Sequence, residues 1–417
     1  MRAKTGTRMK LVAAALVCLA LCACGRPQGV LAPIGGTAPG ASLVDMLVAT
    51  TRKPAADPAI LYTGERKSDV SLTNIVVSVP PDAARRIGEV QWPQQLPPNP
   101  ATDFAAVSVT PLAGDAAARI WLRRELPPQK RVFVFVHGFN VRFEDAVFSL
   151  AQIVHDSGAQ AAPVLFTWPS RGNVFQYVYD RESANASRDA LEELLWRVVD
   201  DRDVREVTVM AHSMGSWLVM ESLRQMAIRR GRVPPKIQSV ILAAPDLDVD
   251  VFAAQWLEIG KPRPKLSVFT SREDRALQVS RRLAGDVQRL GLVDPTIEPY
   301  RSQLEREGVE VIDLTDLSRP GSINHSKFAE DPEIVQLLGK RLIAGQSFGA
   351  APSLGERVGA FAMGVGQTVG GVAGVAVTAP LAIVDPETRR TLDDQVQHLG
   401  GVAGDTVNAA PDVVHLK

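Results

Sequence analysis

The sequence predicts an α/β fold, a mainly parallel sheet with helices on both faces. Three observations point to it. From about residue 43 to 345, short β-branched runs alternate with helix-period segments, the pattern of strands joined through helices. The run 132–136 (VFVFV) is apolar without interruption, as a central strand buried on both faces requires. Finally, a β-branched run at 206–210 passes through Ala211-His212-Ser213-Met214-Gly215 directly into a helical pattern.

Taken in order, the strand signals lie at 74–79, 132–136, 163–166, 206–210, 239–242, 266–269 and 309–313. Between them, Phe143, Ala146, Val147, Leu150 and Val154 recur at helical spacing, as do Leu191, Leu194, Leu195 and Val198. No internal repeat interrupts the alternation. About 20 residues separate the strand ending LAAP from the strand LSVF, too few for a large cap domain.

The two ends have a different character. Residues 1–10 carry Arg2, Lys4, Arg8 and Lys10 without an acid, and an uncharged apolar run follows to Ala23. That run has the length of a signal-peptide core and is too short to span a bilayer. It closes Leu21-Cys22-Ala23-Cys24-Gly25, which resembles a bacterial lipobox. Residues 1–23 are therefore expected to be a lipoprotein signal peptide, with Cys24 carrying a lipid of the palmitate type. Gly25, rather than Asp, after the cysteine leads to an expectation of the outer membrane, on its periplasmic side. Residues 24–42, rich in Gly, Pro and Ala, read as a flexible tether before a catalytic-sized domain at 43–345. Residues 346–417 form a Gly/Ala/Val-rich extension. Within it, 358–384 lacks any charge but contains Pro380 and many glycines, so it is expected either to associate with a membrane or to form a flexible or surface-packed tail.

Composition narrows the function classes. The chain has 46 basic and 46 acidic residues, which gives no reason to expect nucleic acid as a partner. All three cysteines (Cys18, Cys22, Cys24) precede residue 25, so the body holds no thiol nucleophile, disulfide or thiolate metal site.

The chemistry centres on Ser213. A strand-to-helix turn with small residues two positions before and after the serine is a nucleophile elbow. The turn brings strand and helix backbones together, and Ala211 and Gly215 meet that need. Upstream, the strand 132–136 ends in His137-Gly138-Phe139-Asn140. This turn is expected to supply the Phe139 N–H, which with the Met214 N–H would form an oxyanion hole. His137 itself reads as structural. A serine needs a base oriented by a third group. His325, in a turn-rich loop after the last strand, is the expected base. The acid is expected to be Asp274, after the strand KLSVF, with Asp246 one strand earlier as the alternative and Glu273 as a neighbouring fallback. The loop 169–182 carries aromatics that either form a pocket wall or pack beneath it.

With these residues in place, the chain resembles the bacterial α/β-hydrolases of the domain-of-unknown-function 900 group, esterase/lipase-superfamily proteins. The resemblance rests on VATTRKP (48–54), SVPPDAARRIGEVQWP (78–93), VFVHGFN (134–140), FTWPSRGNVFQYVYDRESANASRDALEELL (166–195), AHSMGSW (211–217), LAAPDLD (242–248), VFTSREDRAL (268–277) and NHSKF (324–328). It implies the α/β-hydrolase fold and a Ser213–Asp274–His325 triad but no particular substrate. The mechanism that follows from the triad is expected to act on an ester-type substrate, with lipid ester, acylated glycan, small ester and peptide all open, and needs no metal or organic cofactor. A rival expectation keeps the fold but not the catalysis, as an envelope lipoprotein used for binding or scaffolding.

Overall fold

In the computed structural model, which describes residues 26–317 and 323–339, the strands are β1 (Ser42–Pro54), β2 (Tyr62–Val79), β3 (Ala105–Pro111), β4 (Arg131–Val136), β5 (Ala162–Thr167), β6 (Glu206–His212), β7 (Ile237–Ala243), β8 (Lys265–Thr270) and β9 (Val309–Asp313). They form one sheet in the order β3-β2-β1-β5-β4-β6-β7-β8-β9. From β1 through β9 in that order, neighbours run parallel, while β2 pairs antiparallel with both β1 and β3. The α/β-hydrolase fold is thus a mainly parallel sheet with an antiparallel flank.

The helices are α1 (Gly114–Glu125), α2 (Phe143–Ser157), α3 (Tyr177–Ala186), α4 (Arg188–Asp200), α5 (Met214–Arg230), α6 (Val249–Ile259), α7 (Arg275–Leu283), α8 (Tyr300–Glu307), α9 (Lys327–Glu330) and α10 (Pro332–Leu337). Period-two alternation in β4 explains how both sheet faces are filled. Val132, Val134 and Val136 enter a core with side chains of α1, α4, α5, α6 and α8. Phe133 and Phe135 enter the opposite core with those of α2, α9 and α10. β7 repeats the division, with Val240 and Leu242 on the first face and Ile241 and Ala243 on the second.

All seven strand signals fall within strands. The sheet also contains β1, β3 and the first half of β2, which the sequence does not announce. β1 carries Thr50, Thr51 and Arg52, and all three are buried, so its polarity concealed a core strand. The opening of β2, Tyr62 to Leu72, is half-exposed or exposed and lacks an apolar stripe. The N-terminal segment corrects a second expectation. Residues 26–41 do not hang free as a tether: Val30 and Leu31 are each 1% exposed within the second core, and the Ile34 N–H donates to the Ala106 carbonyl at 2.9 Å. Two apolar side chains in a Gly/Pro-rich stretch are enough to dock it beside β3. Cys24, the remaining signal segment and the extension 346–417 lie outside the described residues.

The segment 80–93 is pinned to the last turn of α2 by a buried pair. Arg85 reaches Asp156 through Nη2–Oδ2 at 2.5 Å and Nε–Oδ1 at 3.0 Å, with both side chains at most 2% exposed. The Gly88 N–H also donates to Asp156 Oδ2 at 2.8 Å. Burial alone would raise the Asp156 pKa. Hydrogen bonds from His155, the Gly88 N–H and Gln152, together with the Arg85 charge, outweigh it and hold the carboxyl below the usual range. Asp156→Ala would leave the guanidinium buried without its carboxylate, which costs about 3–5 kcal/mol. Urea unfolding should therefore show a large drop in midpoint, far greater than for substitution of the exposed Glu89–Arg86 pair.

Candidate active site

β6 ends at His212 and α5 begins at Met214, leaving Ser213 alone between them with φ 53 and ψ −123. A positive φ costs a non-glycine residue about 1–3 kcal/mol, so neighbouring structure must enforce it. The Ser213 N–H donates to the Ala243 carbonyl at 2.9 Å, and the Ser213 carbonyl accepts from the N–H groups of Ser216 at 3.0 Å and Asp246 at 3.2 Å. Close approach does the rest. A Cβ on Gly215 would lie 2.4 Å from the His137 carbonyl oxygen, and one on Gly138 would lie 2.8 Å from the Ser213 Cβ. Glycine is therefore required at both positions. The start of α5 is pressed against the turn that follows β4, and Met214, at the positive end of the helix, directly follows the serine.

That turn is held from two sides. Arg52, on β1, is buried and reaches Thr167 Oγ1 at 2.9 Å through Nε and the Ser170 carbonyl at 2.8 Å through Nη1. Its Nη2 donates to the Val141 carbonyl at 2.8 Å and lies 3.4 Å from His137 Nε2. Burial lowers the guanidinium pKa to about 10, opposed by the charge of Asp180, so it remains a cation at neutral pH. Asp180, also buried, accepts from the N–H groups of Asn140 at 3.2 Å and Arg171 at 3.0 Å and from Ser170 Oγ at 2.5 Å. His137 is locked between Thr167 Oγ1 at 2.9 Å and the Gly138 carbonyl at 2.8 Å, and stacks on Trp168 with centroids 4.8 Å apart. Burial and the Arg52 charge push its pKa down to about 3, so the ring is neutral and serves the architecture of the turn.

His325 meets Asp274 directly, with Nδ1 2.7 Å from Oδ2. The other carboxylate oxygen, Oδ1, caps α7 by accepting the Leu277 N–H at 3.0 Å. Both oxygens of this fully buried acid are thus engaged. An ionised carboxylate only accepts, so the Nδ1 position carries the imidazole proton and Nε2 is left as the basic nitrogen. Two further bonds join the acid and histidine loops: the Arg275 N–H donates to the Ile323 carbonyl at 3.0 Å, and Lys327 Nζ donates to Ser271 Oγ at 2.7 Å. Burial opposes charge on His325, but the Asp274 charge and hydrogen bond prevail and raise its pKa above 6.5.

The histidine loop packs on the elbow through His212, the residue before Ser213. The His212 ring lies 4.7 Å from that of His325 and 4.9 Å from Phe328, with Nε2 3.4 Å from the His325 carbonyl. Burial and the neighbouring His325 hold His212 well below an ordinary histidine, so a neutral ring fills this space.

Asp246 also lies beside the elbow, but its carboxylate is taken up elsewhere. Oδ2 accepts from Tyr177 Oη at 2.9 Å and Oδ1 from Ser280 Oγ at 2.5 Å, while Arg289 Nε stands 3.3 Å away. Tyr177 responds: burial and the Asp246 charge push its phenol up to about 12. Glu273 is exposed. Phe139, in the turn after β4, packs edge-on against Tyr177 with centroids 5.2 Å apart.

The structure therefore brings His325 and Asp274 into contact and sets Ser213 at the same end of the sheet, while Asp246 belongs to a separate network. The sequence reading assigned nothing to Arg52, Asp180 or His212. Arg52 stands beside Thr51 and Lys53 in the polar end of LVATTRKP, so nothing in the sequence set it apart. His212 and Asp180 carried no signal either.

Comparison with known proteins follows this geometry. Residues 114–341 match the family described as "Alpha/beta hydrolase of unknown function (DUF900)". An uncharacterized protein of Nostoc sp. is 30% identical over 122 residues, an alignment covering 23% of this chain and 32% of that protein. The chain thus spans about a third of the length of that relative. Among solved structures, an esterase of Pyrobaculum calidifontis aligns with a TM-score of 0.33 and 14% identity, over 66% of this chain and 81% of its own. A protein of Thermoplasma acidophilum described as a "predicted CIB-like hydrolase" aligns with a TM-score of 0.30 and 16% identity, over 51% of this chain and 86% of its own. The family match extends from α1 to the end of the described C-terminal helices and takes in the serine turn, the acid loop and the histidine loop, and on it the chain belongs to the α/β-hydrolases of unknown function, DUF900.

Proposed function

We propose that the protein is a serine hydrolase of the esterase/lipase type, with Ser213 as nucleophile, His325 as general base and Asp274 as the orienting acid. The observation that carries this reading is the 2.7 Å contact between His325 Nδ1 and a buried carboxylate, on a loop packed against a serine held at positive φ. The Ser213 hydroxyl attacks the ester carbonyl as His325 Nε2 takes its proton. The N–H groups of Phe139 and Met214 donate to the developing oxyanion. His325 then protonates the departing alkoxide, leaving an acyl-serine. Water, deprotonated by the same nitrogen, attacks the acyl carbon and restores Ser213. Asp274 keeps the proton on Nδ1 and stabilises the imidazolium at each stage. The carboxylate–histidine contact at this turn favours catalysis over a purely binding role for the fold.

The reading extends to location. Lipidation of Cys24 would tether the enzyme on the periplasmic side of the envelope, most simply at the outer membrane. A lipoprotein cysteine bears two or three acyl chains, and two suffice for stable anchoring. No helix among the described residues is long and apolar enough to cross a membrane.

Three outcomes test these assignments. Ser213→Ala should remain folded, lose labelling by a fluorophosphonate probe, and lose ester hydrolysis by about 10⁴-fold or more; full labelling of the variant would rule Ser213 out. Asp274→Asn should cost far more activity than Asp246→Asn, and the pH profile supplies a second readout. Because the base must be neutral, the acidic limb of kcat/KM should inflect above 6.5 in the wild type. Loss of the Asp274 charge should move that inflection to lower pH. Cys24→Ser should block processing or release the protein from membranes, while truncation after residue 345 should leave it bound. Fractionation that finds the truncated, lipidated protein soluble would transfer the anchor to the extension.

A further inference from the structure

Where the loop after Trp168 and α3 face α5 and the end of α7 lies an open groove of about 820 Å³, lined by Val174, Phe175, Val178, Trp217 and Leu283 together with Tyr177. Its volume falls within the range of about 300–1,000 Å³ typical of small-molecule sites. Phe175 is 89% exposed, and Val174, Val178 and Leu283 are each more than half exposed. Scattered apolar side chains at a surface need no explanation, but a contiguous set rimming a groove marks a binding surface. The aromatics of the loop after Trp168 are thus divided. Tyr177 is tied down by Asp246 and Ser280, while Phe175 faces out at the groove.

Two residues of the lining relate the groove to the elbow. Trp217 stands on α5 about one turn beyond Met214, on the helix that starts immediately after Ser213. Tyr177 packs edge-on against Phe139 of the turn after β4, and its hydroxyl donates to Asp246, whose own N–H donates to the Ser213 carbonyl. A molecule lying in the groove therefore touches Tyr177, which adjoins the oxyanion turn, and Trp217, which stands on the helix that follows the serine. The polar members, Arg181, Glu182 and Asn185, belong to α3 and lie on the wall that carries Val178.

We infer that this groove binds the acyl chain of the substrate, and that the substrate class is esters of medium- to long-chain fatty acids. The inference rests on the serine-hydrolase reading for its catalytic consequence, while occupancy of the groove can be measured without turnover. An unbranched chain matches the continuity of the apolar lining from Trp217 to the rim at Phe175. A chain without hydrogen-bonding groups lies along the apolar members, while Arg181, Glu182 and Asn185 are left for the solvated side of the groove. Each methylene removed from water contributes up to about fourfold in kcat/KM.

Two measurements on the purified full chain test this. In the first, dodecanoate below its micellar concentration is titrated while tryptophan fluorescence is followed, with wild type compared with the double variant Phe175→Asp/Val178→Asp. Both positions are so exposed that the fold should survive the change. Saturable binding in the wild type, weakened at least tenfold in the variant, supports the proposal. Absence of binding, or equal binding by both proteins, overturns it. In the second, p-nitrophenyl esters from acetate to dodecanoate are compared. The wild type should prefer the longer chains, and the variant should lose that preference while retaining acetate hydrolysis and fluorophosphonate labelling. Equal loss on acetate and dodecanoate, or no rise with chain length in the wild type, also overturns it. If dodecanoate binds but no ester is cleaved and no probe reacts, the catalytic reading fails and the groove assignment stands. Conversion of a wild-type dimer into a monomer by the double variant, without binding of dodecanoate, would show instead that the groove joins two copies of this chain.

Discussion

The rest of the site depends on how closely two backbones approach, where the carbonyl of His137 meets the first turn of α5 at Gly215. β4 and β6 are neighbours in the sheet, so the turn leaving one and the helix leaving the other compete for the same space. Two glycines resolve the conflict by removing the side chains that would collide. The remaining strain falls on Ser213, the single residue between β6 and α5, which takes positive φ. The same compression that strains the serine places it against the turn expected to stabilise an oxyanion. Position and strain thus have one cause, and the parallel sheet on either side, with its filled faces, is rigid enough to maintain both.

Buried charge is spent on turns more than on the sheet. Arg52 donates to three backbone carbonyls and Asp180 accepts from two backbone N–H groups, clamping the loops after β4 and β5 from opposite sides. Such groups are costly to desolvate, and they persist because nearly every donor and acceptor has a partner. Loops that must present backbone N–H groups cannot be fixed by apolar packing alone, since their polar atoms need partners of defined direction. The buried cation and anion supply that direction.

Asp246 and Asp274 show how environment separates two chemically identical groups. Both follow parallel strands at the same end of the sheet and both are buried. Asp246 is engaged by a tyrosine, a serine and an arginine, and its charge falls first on the Tyr177 phenol. Asp274 faces a histidine and a helix N-terminus, neither of which carries a full fixed charge. Its negative charge is therefore available to favour the imidazolium, which is the direction in which His325 is shifted. The Tyr177–Asp246 pair serves instead to join α3 to the elbow, through the Asp246 N–H that donates to the Ser213 carbonyl.

The sequence by itself determined the fold class, the central strands, the serine turn and the order of serine, acid and histidine. These are local properties: period-two alternation in VFVFV, a β-branched strand running into Ala211–Gly215, and small residues wherever backbones must touch. They need no knowledge of what lies across the sheet. The antiparallel flank was hidden because β1 buries Thr50, Thr51 and Arg52 where an apolar stripe was expected, and because the first half of β2 has no buried face to pattern. The docking of Val30 and Leu31 was hidden by the Gly/Pro-rich composition around them. Only the tertiary structure decided which carboxylate faces His325, why His212 sits beside it, and what Arg52 and Asp180 hold. Each of those includes partners far apart in the chain, as with Asn140 and Asp180 or His212 and His325, 40 and 113 positions apart. A hydrogen bond requires both groups in one place, and the folded chain alone brings them there.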